Sequence, residues 1–226
     1  MNVVILAAGE FPRKAYPLYL LSAAEAVVCC DSALAAALKR GIQPDAVVGD
    51  MDSVAPSVLK AFSSGSASRK IASDAPAGEV VRVAEQDDND LTKAMKYVLD
   101  KYPEVTEITI LGATGKREAH TVGNLSLLME YEKSFALSAR GVNVQMVSDY
   151  STAFVVGDSC SLSLGEGRAV SFFTCDQSLN VKSRGLEWPL DDVVFDNWWK
   201  ATLNRASSDE VSLQFNHPAP LLIILD

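Results

Sequence analysis

The chain has 226 residues and a formal net charge of −9, and 48% of its residues are hydrophobic whereas 22% are charged. This length fits one large domain or two small ones, and no apolar run approaches the ~20 residues of a membrane-spanning helix. The charge argues against nucleic acid as a principal partner, because backbone binding needs a surplus of Lys and Arg, but it is compatible with a nucleotide bridged by a metal ion.

The first half of the chain alternates strand-like and helical patterns, in the rhythm of an α/β domain. The predicted strands are Val3–Ala7, Ala26–Cys30, Ala46–Val48, Val80–Val83 and Glu107–Leu111, and the predicted helices are Ala33–Lys39, Leu91–Leu99 and Thr121–Tyr131. The small, polar segment Ser63–Gly78 between them is predicted to be a loop or an exposed hairpin. We therefore expect an open, parallel, Rossmann-like sheet in residues 1–138.

The remaining residues, 139–226, have the pattern of an all-β sandwich, with short strand-like runs separated by Gly, Asp and Asn turns. The predicted strands are Val142–Val147, Ala153–Val156, Ala169–Phe173, Glu210–Phe215 and Leu221–Leu225. The sequence therefore predicts a second domain that is distinct from the parallel sheet. Its apolar closing run, Pro220–Leu225, motivates the hypothesis that this domain takes part in the contact surface of a dimer.

The cysteines and histidines offer little material for chemistry. Cys29, Cys30, Cys160 and Cys175 show no C-x-x-C spacing, which predicts reduced, structural thiols. With only two histidines in the chain, a His-rich zinc site or a Ser-His-Asp triad is not expected. The first residues enter a strand-like run without a basic leader or cleavage site, and this predicts a cytoplasmic protein.

Closely spaced carboxylates follow two of the predicted strands, in GDMDS (Gly49–Ser53) and QDDND (Gln86–Asp90). On an extended backbone residues i and i+2 share a face, so Asp50 and Asp52 are expected to aim at one point. The same spacing relates Asp88 to Asp90. Hard oxygen ligands of this kind suit Mg²⁺, which also shares phosphate oxygens with substrates.

These acids also have a simpler interpretation, in which an Asp, Asn or Ser caps the helix that follows it. Capping needs one such residue, however, and each segment has several. In open parallel sheets ligands bind at the carboxyl ends of the strands, where both segments are predicted to lie. The sequence therefore favours a metal site.

The segment GATGKR, Gly112–Arg117, combines glycines with a hydroxyl and a basic pair before a predicted helix. Such a loop lets backbone N–H groups approach an anion, although its spacing is not that of a Walker A motif. A strand-to-helix turn with solvated basic side chains is the alternative. Asp31 is likewise open to two interpretations, as a helix N-cap or as an acceptor for a ribose hydroxyl. His120 is interpreted as a helix N-terminal residue.

In order and spacing, these segments resemble the signature segments of thiamine pyrophosphokinase. The segments that carry the resemblance are DSA from Asp31, GIQPDAVVGDMDS from Gly41, QDDNDLTKA from Gln86 and GATGKREAHTVGN from Gly112. GLEWPL (Gly185–Leu190), Asn204 and the closing PLLIIL are similar to that family's β-rich thiamine-binding domain. The resemblance covers nearly the whole chain.

The resemblance implies transfer of the pyrophosphoryl group of ATP to the hydroxyl of thiamine, giving thiamine diphosphate and AMP with Mg²⁺ as cofactor. It implies a homodimer with active sites at the subunit interface, in which residues 1–138 bind nucleotide and metal and residues 139–226 bind thiamine. Carried over by position, the catalytic residues are Asp50, Asp52, Asp87, Asp90 and Arg117, with Asp50, Asp52 and Asp90 as metal ligands. The nucleotide contacts are Asp31, Ser32, Gly112, Thr114, Gly115, Lys116, Arg117 and His120, and the thiamine contacts are Gln86, Leu203 and Asn204.

Two positions depart from the family pattern. Ala119 stands where G-x-R-x-D-H has an acid, and Leu203 stands where a serine is expected before Asn204. The first removes a contact on the nucleotide side. The second is expected to weaken thiamine recognition, because an aliphatic side chain at a buried hydrogen-bonding position leaves its partner unpaired.

These departures keep two other functions open. A pyrophosphokinase for another heterocyclic alcohol, such as a pterin, would keep the metal cluster and change the second domain. A non-catalytic nucleotide or thiamine sensor would tolerate the loss of an acid at Ala119, but it would not need the acids and the arginine that the chain retains.

Overall fold

The computed structural model describes residues 1–64 and 77–226, so most of the predicted loop Ser63–Gly78 lies outside the described residues. The chain forms two compact units. The first comprises Met1–Asn124 with Val147–Asp149, and the second comprises Leu125–Met146 with Tyr150–Asp226. The second unit thus takes in residues on both sides of position 138, and a domain boundary at that position stays a prediction.

The first unit is built on a parallel sheet. Its strands are β1 (Asn2–Leu6), β2 (Ala26–Cys30), β3 (Ala46–Gly49), β4 (Glu79–Arg82) and β5 (Glu107–Leu111). They pair in the order β5-β1-β2-β3-β4, with every pair parallel. In β1, Val3–Leu6 are at most 2% exposed, as expected of a strand covered on both faces. The predicted Rossmann-like sheet is confirmed.

Helices connect these strands. They are α1 (Ala15–Ser22), α2 (Asp31–Lys39), α3 (Pro56–Ser63), α4 (Asp90–Lys101) and α5 (Glu118–Phe135), the last of which continues into the second unit. Sequence analysis missed α1, because YPLYLLS has no separate polar face and carries Pro17. Tyr16 and Tyr19 of this helix are 54% and 65% exposed. None of the described helices is long and apolar enough to cross a membrane.

The second half of the chain is mostly antiparallel. A 3₁₀ turn (Ser138–Arg140) is followed by β6 (Asn143–Val147), β7 (Thr152–Val156), β8 (Cys160–Ser163), β9 (Ala169–Phe173), β10 (Val181–Arg184), β11 (Asn204–Arg205), β12 (Glu210–Phe215) and β13 (Leu221–Leu225). In the second unit β13 pairs with β7 and β9, β9 also pairs with β11, and β12 pairs with β8 and β10. Phe172 and Ile223 of one sheet share an apolar core with Val211 and Leu213 of the other. The predicted sandwich is confirmed.

The closing run is not a free surface. β13 lies between β7 and β9, and Leu221, Leu222 and Ile223 are at most 2% exposed. The closing run therefore gives no support to a subunit contact through this domain, which stays a prediction, because the second unit's own core buries these residues. Their hydrophobicity reflects a central strand of the sandwich.

In the first unit the loops after β1 and β5 meet in a close backbone contact. The Gly9 N–H donates to the Gly112 carbonyl at 2.5 Å, and the Glu10 N–H donates to the Thr114 carbonyl at 2.7 Å. A Cβ on Gly9 would lie 2.4 Å from the Gly112 oxygen and 2.5 Å from the Thr114 oxygen. Real Cβ contacts are not this short, so the contact requires a glycine.

We predict that Gly9→Ala lowers the free energy of unfolding by about 1–3 kcal/mol, because the added methyl forces the two backbones apart. Gly123→Ala is the matched control, since a Cβ at that position in α5 meets nothing within 4 Å. It should raise stability by about 0.5–1 kcal/mol, as helix-interior glycines do when replaced by alanine. Urea unfolding measures both, and equal midpoints for the two variants would contradict the loop contact.

Candidate active site

Asp31 lies at the start of α2, directly after β2, and is 1% exposed. It is a first-turn residue and not the helix N-cap, which is Cys30 without a side-chain bond. Its carboxylate accepts the N–H groups of Ser32 and Met51, the latter at 3.2 Å. A Cβ on Gly49 would lie 2.7 Å from the Asp31 carboxyl carbon, which explains the glycine before Asp50. The capping interpretation of Asp31 is therefore wrong.

The GDMDS segment is a turn and not the extended backbone that its spacing predicted. Met51 has a φ of 69°, and the Asp52 N–H donates to Asp50 Oδ1 at 3.0 Å. The predicted common face of the Asp50 and Asp52 side chains is therefore not a consequence of strand geometry. Neither Asp52 nor Ser53 caps α3, because the N-cap position is Ala55.

Three carboxylates of the first unit act on one another. Burial, followed by the charge of Asp90 and then by that of Asp50, raises the pKa of Asp31 to about 6. The Asp52 N–H and then the Gln86 side chain hold the pKa of Asp50 below its usual value, and Gln86 Nε2 lies 3.4 Å from Asp50 Oδ2. Asp31, Asp50 and Asp90 thus form an acidic cluster at the carboxyl ends of β2 and β3.

The QDDND segment bends, and its acids separate as a result. Asn89 caps α4 by accepting the Thr92 N–H at 2.9 Å, which confirms the capping interpretation for this residue. Asp88 pairs with Lys96, whereas Asp90 begins α4 and acts on Asp31. The expectation that Asp88 and Asp90 point to one place is therefore wrong. Because Asn89 is the N-cap of α4, none of the acids in this segment has that role.

Asp87 occupies the exposed part of this bend, and its N–H donates to Glu85 Oε2 at 2.9 Å. This contact keeps the loop folded on itself. It involves the Asp87 backbone and leaves the carboxylate for other contacts.

The donor set of the acidic cluster fits a hard cation. Within residues 1–64 and 77–226, no group of three or more His, Cys, Asp or Glu side chains is placed so that it could hold a metal ion by itself. Mg²⁺ needs no such cage, because it usually binds one or two carboxylates and takes its other ligands from water and phosphate. Burial and then the charge of Asp90 raise the pKa of Asp31, so a cation near these acids would be favourable. Asp50 and Asp90 therefore fit Mg²⁺.

The loop after β5 is shaped by glycines and tied to the loop after β1. Gly112 and Gly115 have φ values of 67° and 88°, which favour glycine. Lys116 Nζ donates to the Ala8 carbonyl at 2.6 Å. The sequence predicts that Lys116 is a charge partner for an anion. In the structure its ammonium instead joins the loop after β5 to the loop after β1. Sequence analysis also missed Ala8–Glu10, for which the small residues after β1 were the available signal.

Arg117 and His120 lie at the exposed start of α5, with Arg117 immediately before the helix. The Arg117 guanidinium has no hydrogen bond or ion pair with any residue that the structure describes. It is therefore available to an anion. Ser32, one residue into α2, is also exposed, and Thr114 is half-buried.

Lys93 is a residue of this region that the sequence analysis did not single out. It lies on α4, three residues after Asp90, and is only 4% exposed. Its charge also lowers the pKa of Asp50, after the larger effects of hydrogen bonds. Its position one helical turn from an acid was the available signal.

In the second unit, Asn204 is a buried anchor and not an open recognition group. It is 5% exposed, its Oδ1 accepts the Trp188 N–H at 3.2 Å, and its Nδ2 donates to the Trp188 carbonyl at 2.7 Å. The Asn204 amide therefore fixes the backbone of the segment that carries the Trp188 indole, which is 56% exposed.

Leu203 does not occupy the buried position that the sequence analysis expected. Its side chain is 79% exposed, its φ is 57°, and its N–H donates to Ser171 Oγ at 3.0 Å. An exposed leucine leaves no buried partner unpaired, so that argument for weakened recognition is wrong. Leu203, Trp188, Lys200 and Asn204 line a cavity of about 320 Å³ within the second unit.

Comparison with protein families gives two matches. The model described as thiamin pyrophosphokinase, catalytic domain, matches residues 18–138, which is more than half of the chain. The model described as thiamin pyrophosphokinase, substrate-binding domain, matches residues 153–219. Each match covers segments that carry residues of the candidate site.

Curated relatives and solved structures agree with this. The chain is 26% identical over 161 residues to thiamine pyrophosphokinase 1 of Oryza sativa subsp. japonica and 36% identical over 97 residues to thiamine pyrophosphokinase of Bacillus subtilis. These alignments cover 66% and 43% of this chain but only 54% and 40% of the relatives' own lengths.

Two solved structures share the fold over the whole chain. The Bacillus subtilis thiamine pyrophosphokinase structure has a TM-score of 0.74 at 20% identity and covers 100% of this chain and 99% of its own. The yeast thiamin pyrophosphokinase structure has a TM-score of 0.69 at 15% identity, with coverage of 100% and 86%. On the strength of the two family models, this chain belongs to the thiamin pyrophosphokinase family.

Proposed function

We propose that this chain transfers the pyrophosphoryl group of ATP to the hydroxyl of thiamine, with Mg²⁺ as cofactor, and so forms thiamine diphosphate and AMP. The observation that carries this proposal is the acidic cluster of Asp31, Asp50 and Asp90. A cluster of this kind at strand ends, in a unit that matches the family's catalytic model, suits a metal-bound polyphosphate. The transfer needs positioning and charge neutralisation more than a covalent nucleophile.

Asp50 and Asp90 would hold the metal ion, with Asp52 as a third proposed ligand. When bound, Mg²⁺ would neutralise charge on the phosphate oxygens during transfer. The Gln86 amide orients Asp50 through its hydrogen bond to Oδ2. Asp87 and Asp90 are the candidates to accept the hydroxyl proton of the acceptor, although a loose transition state requires little help from a base.

On the nucleotide side, the glycines of the loop after β5 expose backbone N–H groups, and Arg117 supplies a positive charge to the phosphates. Lys116 acts by fixing the loop through the Ala8 carbonyl. We assign the nucleotide contacts to Asp31, Ser32, Gly112, Thr114, Gly115, Lys116, Arg117 and His120.

On the acceptor side, we assign thiamine contacts to Gln86, Leu203 and Asn204. Asn204 acts through Trp188, whose exposed indole offers a face to the positively charged thiazolium ring. Leu203 adds an apolar contact at the wall of the same cavity.

We further propose a cytoplasmic homodimer with active sites at the subunit interface. Free thiols at Cys29, Cys30, Cys160 and Cys175 support a reducing compartment. Trp198, Trp199 and Val194 of the second unit are apolar residues available for association, because they are between 41% and 67% exposed.

The proposed function is tested by release of AMP from ATP and Mg²⁺ in the presence of thiamine, of a hydroxymethyl pterin, or of no acceptor. We expect release with thiamine in equal amount to thiamine diphosphate. AMP release with the pterin but not with thiamine would identify the pterin, and not thiamine, as the acceptor. Binding of nucleotide or thiamine without AMP release from any mixture would indicate a sensor.

We predict that Asp50→Asn or Asp90→Asn lowers kcat by about 10² or more, because a neutral amide keeps the shape but loses the charge that holds the metal. Asp158→Asn, in an exposed turn of the second unit, is the control for loss of one acid and should retain activity. Circular dichroism and the coupled AMP assay give folding and rate separately. A variant with a reduced folded fraction and an unchanged rate per folded molecule would show a structural role instead.

We predict that Leu203→Ser raises the KM for thiamine about two- to fivefold and leaves kcat unchanged, as for loss of apolar contact that is equal in ground and transition states. The control is Leu18→Ser, another exposed leucine, which lies on α1 of the first unit and does not line the cavity. Steady-state kinetics decide this point. A lower KM in Leu203→Ser would mean that a hydroxyl is the better contact.

A further inference from the structure

Lys93 is a buried cation whose role the proposed chemistry has not yet used. Its side chain belongs to α4 and is 4% exposed, although lysine is almost never buried without a partner. Within the described parts of the chain, its ammonium forms no hydrogen bond and no ion pair at salt-bridge distance. The three N–H donors of the Lys93 ammonium are therefore left without acceptors from the described protein, although its stem is buried.

Lys93 also lines a cavity of about 570 Å³ in the first unit, together with Glu85, Asp87 and Asp88. Lys96 also lines this cavity. Unlike Lys93, it has a side chain that is 55% exposed and paired with Asp88. The Lys93 ammonium is thus a positive charge that acts on Asp50 of the acidic cluster and has no partner in the described residues.

We propose that Lys93 is a substrate-binding residue that couples the metal ion to the nucleotide. Its ammonium repels a divalent cation that arrives alone at Asp50 and Asp90, and it donates hydrogen bonds to a phosphate oxygen that arrives with the cation. The metal and the polyphosphate therefore bind as a pair, and each binds weakly without the other. This inference rests on the proposed function for the identity of the anion.

The opposite effects on the two ligands follow from the positive charge of the Lys93 ammonium. A fixed positive charge beside carboxylates weakens their attraction for a cation and strengthens the attraction of the site for an anion. Lysine binds phosphate as a point charge with rotatable donors, so its geometry does not need to match one phosphate arrangement. A residue that only supported the fold would not act on the two ligands in opposite directions.

The test uses the full chain with Lys93→Met, which removes the charge and keeps the length of the stem, and with Lys93→Arg, which keeps the charge. Lys96→Met is the matched control for removal of a lysine from the same cavity. Two affinities are measured for each protein by titration calorimetry, that of Mn²⁺ alone and that of ATP without metal. Circular dichroism reports the folded fraction.

In Lys93→Met we expect Mn²⁺ alone to bind about fivefold more tightly and metal-free ATP about tenfold more weakly, from the Coulomb effect of one unit charge on each ion. Lys93→Arg should stay close to the parent chain for Mn²⁺. Lys96→Met should change both affinities less than about twofold, because an exposed pair is screened by solvent.

Weaker binding of both ligands in folded Lys93→Met, or no change in either, would overturn the proposal, as would equal shifts in Lys96→Met. If Lys93→Met does not fold, Lys93→Gln provides the same comparison. These affinities do not involve thiamine. If the acceptor assay fails but the affinities for Mn²⁺ and ATP change as expected, only the proposed function is contradicted. If thiamine is turned over but these affinities do not change, only the role of Lys93 is contradicted.

Discussion

The burial of Asp31 close to the charges of Asp90 and Asp50 is the constraint on which the first unit's proposed chemistry depends. Parallel strands bring the ends of β2 and β3 together, and α4 begins with the third acid, so the fold places negative charge where it opposes itself. The raised pKa of Asp31 records this conflict. Binding of a hard cation with a polyphosphate, as we propose, would relieve this conflict.

Much of the surrounding structure keeps these acids in place. Gly49 leaves room for Asp31, the Asp52 N–H holds one oxygen of Asp50, and Gln86 holds the other. Each of these contacts comes from a loop at a strand end, whereas the buried strands supply the rigidity. The sheet thus determines where the acids lie, and hydrogen bonds from the loops determine how their carboxylates are oriented.

In the second unit, the cavity beside Leu203 depends on a buried amide, that of Asn204. Asn204 uses all of its observed hydrogen bonds on backbone, and this leaves the Trp188 indole exposed on a fixed segment. The buried Asn204 amide thereby positions the segment that carries the exposed Trp188 indole. This explains how a chain with leucine at position 203 keeps a formed cavity, since the wall depends on Asn204 and on the Leu203 backbone bond to Ser171.

The sequence by itself determined most of the strands, the helices α2, α4 and α5, the change from a parallel sheet to a sandwich, and the segments that lie at strand ends. These features follow from hydrophobic periodicity, which is a local property. Only the tertiary structure decided that Asp31 joins Asp50 and Asp90, that Asp88 pairs with Lys96, and that Lys116 serves the loop after β1. These outcomes depend on the positive φ of Met51, on the bends before α4 and on contacts between distant segments, and residue spacing carries no information about them.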